Sequence, residues 1–178
     1  MFTEYKASGA STTSKIPTPK IIFFDIDDTL SRNGIIDKNN QATLESLANS
    51  DVKLVISTGR SKAILPADVL ALLEANVLDA IICMNGQYSF DNSGRISHYP
   101  LTNMQTAKIV ELCQASKLIH KFDSATHIAW SDENDRLREF NARTPNSIVD
   151  PCYYQTNEVY QCSVFFNNQQ QKMQEVDF

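Results

Sequence analysis

Two aspartates, Asp25 and Asp27, directly follow the apolar run Ile21 to Phe24. Residues i and i+2 of an extended segment project to the same side, so we expect both carboxyl groups to face one ligand. Such a pair suits covalent hydrolysis of a phosphate ester, which needs a carboxylate that attacks phosphorus, an acid that protonates the leaving oxygen, and a cation that offsets their charge. The alternative interpretation is that these acids only form a solvated turn.

The elements around this pair alternate between strand and helix patterns. Continuous apolar runs predict strands, the first of them covered on both faces, and apolar residues at helical spacing predict the helices between them. In chain order the predicted elements are a strand over 21–24, a helix over 39–50, a strand over 52–56, a helix over 61–76 that contains Pro66, and a strand over 80–84. This order predicts a parallel sheet with right-handed crossovers.

A polar segment follows each of these three predicted strands. The segments are Asp25–Thr29, Ser57–Arg60 and Asn85–Gln87. Because functional residues gather outside the carboxyl ends of parallel strands, we expect all three segments to lie along one rim of the sheet. The paired acids would share that rim with the Thr58 hydroxyl, which can donate to a phosphoryl group without adding charge.

Three motifs, in this order along the chain, resemble those of one known family. Phe24–Leu30 resembles the D-x-D-x-T-L signature of the haloacid dehalogenase-like superfamily, and Ile56–Arg60 resembles its second motif as it occurs in the Cof-type branch. Met84–Gln87, with a hairpin after it, is similar to that branch's third strand and Asn-Gly turn. The resemblance covers about residues 20–166 and implies a Rossmann-like core with an α+β cap domain inserted after the third strand.

The resemblance also implies roles for single residues. Asp25 would be the nucleophile that becomes an aspartyl-phosphate, Asp27 would be the general acid and then the general base, and both would hold Mg2+. The residues implied to bind phosphate are Thr58, Gly59, Arg60, Asn85 and Gly86. Purely structural alternatives stay open for four of these residues. Thr58 can cap the next helix, Arg60 can be a solvated helix residue, and the Asn-Gly pair can be only a turn.

After the third strand the pattern changes to that of an α+β unit. A turn signal at 91–94 predicts a hairpin. The further predicted elements are a helix over 104–115, a strand around 127–130 with Trp130 in the core of the unit, a short helix near 135–141 and a strand over 161–166. The predicted organisation is therefore an α/β fold with a flexible leader over 1–19, the N-terminal part of a core over 20–101 and a partial α+β cap over 102–178.

Two features of the resembled family are not found in the sequence. Its members have a lysine after the cap and then a further acidic motif. We therefore expect the 178-residue chain to be a fragment that ends inside the cap. The family topology would then leave the strand over 21–24 bare on one side, and a bare apolar edge favours aggregation or self-association.

Composition limits the partners and the location. With a net charge of -5 and no basic runs, the sequence predicts no basic surface that would bind the phosphate backbone of nucleic acid. A small phosphorylated metabolite, held by local donors and Mg2+, is the expected partner. We expect no membrane contact, because no stretch is long and apolar enough to span one. The cysteines form no C-x-x-C pair and no secretory signal is visible, so we expect a cytoplasmic location.

Together these features predict a Mg2+-dependent phosphatase for small, sugar phosphate-like metabolites. One alternative is a truncated remnant that binds phosphate or metal with weak or no turnover, or that serves as an interaction module. A phosphomutase is a further alternative, because a related capped branch uses the same paired aspartates.

Overall fold

The computed structural model describes residues 19–166, except for 33, 134, 136–138, 140–143 and 145. The predicted leader lies almost wholly outside these ranges, and so does most of the predicted short helix near 135–141. The strands are β1 Ile21–Phe24, β2 Ser31–Arg32, β3 Ile35–Ile36, β4 Lys53–Ser57, β5 Ala80–Cys83, β6 Tyr88–Asp91, β7 Gly94–His98, β8 Ile119–Asp123, β9 Ile128–Trp130, β10 Ser147–Val149 and β11 Gln161–Phe165. The α-helices are α1 Lys38–Ala48, α2 Ala67–Glu74 and α3 Asn103–Ala115. None of the helices in the described ranges has the length and apolar character needed to cross a membrane.

The first sheet has five strands in the order β1-β4-β5-β6-β7. Its first three strands are parallel, and β6 and β7 add an antiparallel hairpin. Because the parallel strands advance in one direction, right-handed crossovers put α1 and α2 on the same face. Leu44 of α1 and Val69 of α2 accordingly pack with Leu54, Ile56 and Ile81 in one core. The predicted α/β architecture with a parallel sheet is confirmed.

Strand β1 lies in a different environment from the predicted one. It pairs with β4 on one side, and no strand of the described residues pairs with its other side. The prediction of cover on both faces is wrong, since Ile21 is 48% exposed and Phe23 is 59% exposed. Ile22 and Phe24 point into the core that contains both crossover helices. No helix within the described residues covers the opposite face of β1.

The segment predicted as one helix over 61–76 is broken at Pro66. Lys62–Ile64 forms a 3-10 turn, α2 begins at Ala67, and Leu65 between them is extended with ψ 140°. A proline ring disfavours helical backbone at the residue before it, which explains the break. Residues 60–64 therefore form a short loop between β4 and α2.

The second sheet has four strands in the order β10-β9-β8-β11. Helix α3, which begins at a capping box of Thr102 and Gln105, covers one face. There Val110 packs with Phe122 and Ala129. This confirms an α+β unit after the hairpin, although strands β8 and β10 are not predicted from the sequence. The boundaries drawn between leader, core and cap stay predictions.

The other face of the second sheet carries aromatic and aliphatic side chains. Trp130 stacks on Phe165 with ring centroids 5.2 Å apart, and it packs with Ile128 and with Ile64 from the loop after β4. Trp130 is 2% exposed, which confirms its predicted place in the core of this unit. Both faces of the second sheet are thus in contact with other parts of the chain.

Candidate functional site

The end of β1 carries the paired acids on a turn that winds around one carbonyl group. The main-chain oxygen of Ile26 accepts hydrogen bonds from Leu30 N at 3.1 Å and from Ser31 N at 2.9 Å. Ile26 is fully buried, whereas Asp25 and Asp27 on either side are exposed. The isoleucine anchors the turn, and both carboxyl groups lie on its outer side, in keeping with the i and i+2 spacing.

Thr58 follows β4 and is almost fully buried. Its main-chain N–H donates to Ile82 O of β5 at 2.9 Å, and its hydroxyl oxygen accepts from Arg60 N at 3.1 Å. Ser61 caps the following 3-10 turn by accepting from Ala63 N at 3.1 Å, so the helix-capping alternative for Thr58 is wrong. A hydroxyl group also carries a hydrogen of its own, which the bond from Arg60 N does not use.

Arg60 makes a two-pronged ion pair with Asp27. Arg60 Nε donates to Asp27 Oδ2 at 2.9 Å, and Nη2 donates to Oδ1 at 2.6 Å. Bidentate pairs of this kind are among the strong hydrogen bonds of proteins. The hydrogen bond from Arg60 lowers the pKa of Asp27. That bond, together with the charges of Asp27, Asp25 and Asp68, raises the pKa of Arg60, which is therefore no solvated helix residue.

Three consecutive residues with positive φ end β5. The φ angles are 51° at Met84, 54° at Asn85 and 95° at Gly86. Asn85 N donates to Thr58 O at 3.2 Å. A Cβ added at Gly59 would lie 3.2 Å from Asn85 Oδ1, so glycine at 59 lets the Asn85 amide lie against the end of β4. The Asn85-Gly86 pair forms a turn, as the structural alternative predicts. This turn also places the Asn85 side-chain amide beside Gly59.

The three predicted segments meet along one rim, as the sequence predicts. Arg60 joins the end of β1 to the end of β4, and the contact of Gly59 with Asn85 joins the end of β4 to the end of β5. The rim gathers two carboxylates, a buried hydroxyl, a guanidinium and an amide. Such a set can hold a phosphoryl group and move protons to and from it.

Oxygen ligands for a cation are available at the end of β1. Mg2+ is usually held by one or two carboxylates together with water and substrate phosphate. The Asp25 carboxylate and the Asp27 main-chain oxygen match that need, while the Asp27 carboxylate is bound to Arg60. In the described part of the chain no three His, Cys, Asp or Glu side chains are grouped to hold a metal. The donor set therefore fits Mg2+ and leaves positions for water and phosphate.

The sequence did not reveal that the loop after the rim also binds the second sheet. Ser61 Oγ donates a short hydrogen bond to Ser124 O, and Asn146 Nδ2 donates to Ala63 O at 2.9 Å. Small polar residues in a loop carry no pattern that identifies partners so far along the chain. The one available signal was Pro66, which separates this loop from α2.

Comparison with known proteins identifies the family. A family model for haloacid dehalogenase-like hydrolases matches residues 22–177. The chain therefore belongs to this family, and the resemblance seen in the three motifs is confirmed. No curated protein sequence gives a significant match.

Several solved structures share the fold of this chain. A hypothetical protein from Geobacillus kaustophilus has 22% identity and a TM-score of 0.71, with 88% of this chain and 61% of that chain covered. A sugar phosphatase of subclass IIB has 24% identity and a TM-score of 0.70, with 86% and 61% covered. A phosphatase from Bacteroides thetaiotaomicron has 18% identity and a TM-score of 0.72, with 94% and 63% covered. The chain thus spans less than two thirds of the length of these structures.

Proposed function

We propose that the rim is the phosphoryl-transfer site of a Mg2+-dependent phosphatase for small phosphorylated metabolites of the sugar phosphate type. The observation that carries this proposal is the Arg60 bridge, which joins Asp27 at the end of β1 to the end of β4, where Gly59 lies against Asn85. Membership of the hydrolase family supports the reaction class. One structural neighbour is a sugar phosphatase, which supports the substrate class.

The paired acids divide the reaction between them. A carboxylate oxygen of Asp25 attacks phosphorus, and the bond between phosphorus and the ester oxygen breaks. Asp27 gives a proton to that leaving oxygen. Water then attacks the aspartyl-phosphate and loses a proton to Asp27, which yields free phosphate and restores the Asp25 carboxylate.

The other rim residues hold the phosphoryl group during both steps. Thr58 donates its hydroxyl hydrogen to a phosphoryl oxygen. A guanidinium carries five N–H groups, so Arg60 can keep its bonds to Asp27 and still present N–H groups to phosphate. The Asn85 amide and the main chain at Gly59 and Gly86 offer further donors. The Asp25 carboxylate and the Asp27 main-chain oxygen would hold Mg2+, which would supply positive charge to stabilise the phosphoryl oxygens.

The charge of the chain leaves the binding of a phosphorylated ligand to the local groups of the rim. With a net charge of -5, the overall field does not attract phosphate, so affinity depends on the local donors and on Mg2+. The same charge disfavours nucleic acid as a partner. A cytoplasmic phosphorylated metabolite is therefore the proposed substrate.

A second candidate is a remnant that binds phosphate or metal with little or no turnover. The hydrogen bond from Arg60 lowers the pKa of Asp27, which disfavours the protonated form that the first step needs. No strand of the described residues pairs with the outer edge of β1. This edge fits an interaction role, and we propose that a second copy of the chain pairs there, next to the exposed Phe23 side chain.

Phosphate release from p-nitrophenyl phosphate and from hexose phosphates, with and without Mg2+, tests the proposed function. We expect weak Mg2+-dependent turnover that Asp25→Asn abolishes and that Asp27→Asn lowers by about a hundredfold. Asp28→Asn is the matched control, because Asp28 lies in the same turn with φ 58°, a conformation that asparagine tolerates. Its activity should stay close to that of the unchanged chain.

Three other outcomes would contradict the proposed site or favour another function. Turnover that survives Asp25→Asn would contradict the proposed site. Binding of Mg2+ and inorganic phosphate without turnover would favour the remnant. Conversion of a hexose phosphate into an isomer, with no free phosphate, would identify a phosphomutase.

A further inference from the structure

The loop over residues 60–64, here called the 60–64 loop, begins at the proposed acid/base residue. Its first residue, Arg60, binds both carboxylate oxygens of Asp27. The backbone of Arg60 is fixed on both sides, since its N–H donates to Thr58 Oγ1 at 3.1 Å and its carbonyl accepts from Met84 N at 3.0 Å. The guanidinium is thus mounted on the ends of β4 and β5 and reaches across to β1.

The remainder of the same loop is bound to the second sheet. Ser61 Oγ donates to Ser124 O, just after β8. Asn146, just before β10, donates from Nδ2 to Ala63 O at 2.9 Å. The Ile64 side chain packs against the apolar cluster of Ile128, Trp130 and Phe165. Contacts from the end of β8, the start of β10 and the side chains of β9 and β11 thus converge on three residues of the loop.

The two ends of the 60–64 loop are also bonded to each other. Arg60 Nη1 donates to Ile64 O at 3.3 Å, and Ile64 N donates to Ser61 O at 3.1 Å. The carbonyl that the second sheet positions through Ile64 is therefore a direct partner of the guanidinium that holds Asp27. A displacement of the sheet moves this carbonyl and removes one of the bonds that orient the guanidinium.

We propose that Arg60 is a positioning residue that couples the docking of the second sheet to the orientation of Asp27. With the sheet docked, the Arg60 fork holds Asp27 toward the rim. With the sheet displaced, the guanidinium loses its bond to Ile64 O, and the fork holds Asp27 in a less fixed orientation. The catalytic meaning of this coupling rests on the proposed function, whereas the coupling itself is a property of the fold.

Hydrogen exchange at Arg60 Nε, followed by 15N NMR in the 178-residue chain, measures the coupling without any need for turnover. Asp27→Asn should speed exchange by about fivefold, the factor expected for loss of a partly exposed ion pair. Asn146→Ala, a change at an exposed residue outside the loop, should speed it by about twofold or more. Ser50→Ala is the matched control, since Ser50 Oγ donates to Leu47 O at 2.6 Å far from the loop and its loss should leave exchange at Arg60 unchanged.

The exchange rates of these variants decide whether the second sheet is coupled to Arg60. Unchanged exchange in Asn146→Ala overturns the coupling, and unchanged exchange in Asp27→Asn overturns the ion pair on which it depends. If exchange at Arg60 Nε changes in Ser61→Ala but not in Asn146→Ala, the coupling is also overturned. Ser61→Ala removes the cap of the 3-10 turn together with the bond to the second sheet, so its effect alone does not report on the sheet. Faster exchange in Asn146→Ala supports the coupling even in a chain without turnover, where only the phosphatase proposal would fail.

Kinetics add a second readout where turnover is measurable. Asn146→Ala should lower kcat by about fivefold and leave KM within about twofold, because Asn146 supports the acid/base and does not touch phosphate. Arg60→Lys should lower kcat at least as much, since an ammonium cannot form the two-pronged pair. A rise in KM with unchanged kcat in Asn146→Ala would contradict a positioning role.

Discussion

The turn that ends β5 requires glycine at position 86. Gly86 has φ 95°, and a Cβ added there would meet no atom within 4 Å. Gly86→Ala therefore introduces backbone strain without a steric clash. Gly34 provides a matched control, because it has φ 80° and equally open surroundings, but it lies in the turn between β2 and β3, away from Asn85.

The size of the effect follows from the backbone angles. Left-handed backbone costs an L-residue about 1–2 kcal/mol, so both variants should lose about that much unfolding free energy. For a chain of this length, such a loss lowers the melting temperature by about 2–8 °C. Only Gly86→Ala should also disturb the rim, since strain at Gly86 relaxes through Asn85 and moves its amide from Gly59. Loss of one hydrogen bond to phosphate weakens binding by about three- to tenfold.

Thermal unfolding and calorimetric titration with inorganic phosphate in the presence of Mg2+ measure the two effects separately. We expect equal stability loss in the two variants and weaker phosphate binding in Gly86→Ala alone. Equal phosphate affinity in both variants would refute the assignment of the β5 turn to phosphate binding. An undiminished melting temperature in Gly86→Ala would refute the need for positive φ at that position.

Three further changes test other parts of the structure. Phe23→Lys places a charge on the bare β1 edge and should shift any dimer to monomer in sedimentation velocity, whereas an unchanged dimer would exclude this edge as its interface. Burial lowers the pKa of His120 from its ordinary 6.5. The unfolded chain therefore takes up this proton first, and stability should fall as the pH drops below about 6.5. His120→Phe should remove this part of the loss, which urea titrations at several pH values measure as unfolding free energy. If unfolding free energy falls from pH 7 to pH 5 as steeply in His120→Phe as in the unchanged chain, the prediction is contradicted. Asp79→Ala leaves the N–H of Leu54, bound at 2.9 Å, without its carboxylate, and should cost about 1–3 kcal/mol. Lys53→Ala, which removes only the exposed partner, should cost under about 1 kcal/mol, and equal losses in the two variants would contradict this difference.

The rim could be predicted because its signals are local. An apolar run followed at once by polar residues marks a strand end, and the order of strands and helices fixes that parallel strand ends share one edge. The pairing of Arg60 with Asp27 could not be predicted in this way. It joins residues 33 positions apart and depends on how two side chains are oriented across neighbouring strands.

Strand β8 is missed because its sequence, Ile-His-Lys-Phe-Asp, places charged residues on a largely buried strand without strict alternation. Lys121 and Asp123 point to the same face, and their charged atoms lie 2.6 Å apart with the side chains only 15% and 4% exposed. Each charge offsets the burial of the other, so the composition indicates a loop although the backbone is a strand. The β2–β3 hairpin has an Asn-Gly turn signal at 33–34, but strands of two residues are too short to show a period.

The error at β1 has a different cause. Four consecutive apolar residues indicate that a strand tends to be covered on both faces, but they do not identify what covers it. Here α1 and α2 both follow right-handed crossovers in one direction and pack on the face of Ile22 and Phe24. Ile21 and Phe23 on the opposite face stay exposed. The sequence pattern was local, whereas the cover depends on the topology of the whole sheet.

The central claim is that Asp25 accepts the phosphoryl group, and the most direct measurement is mass spectrometry of acid-quenched protein. The Asp27→Asn variant, incubated with p-nitrophenyl phosphate and Mg2+, keeps the nucleophile but lacks the base for the second step, and this substrate needs no acid to expel its leaving group. We predict a peptide containing Asp25 that gains the mass of one phosphoryl group, and no such gain in the Asp25→Asn variant. A chain without the added mass, or with it on a residue other than Asp25, would contradict the account.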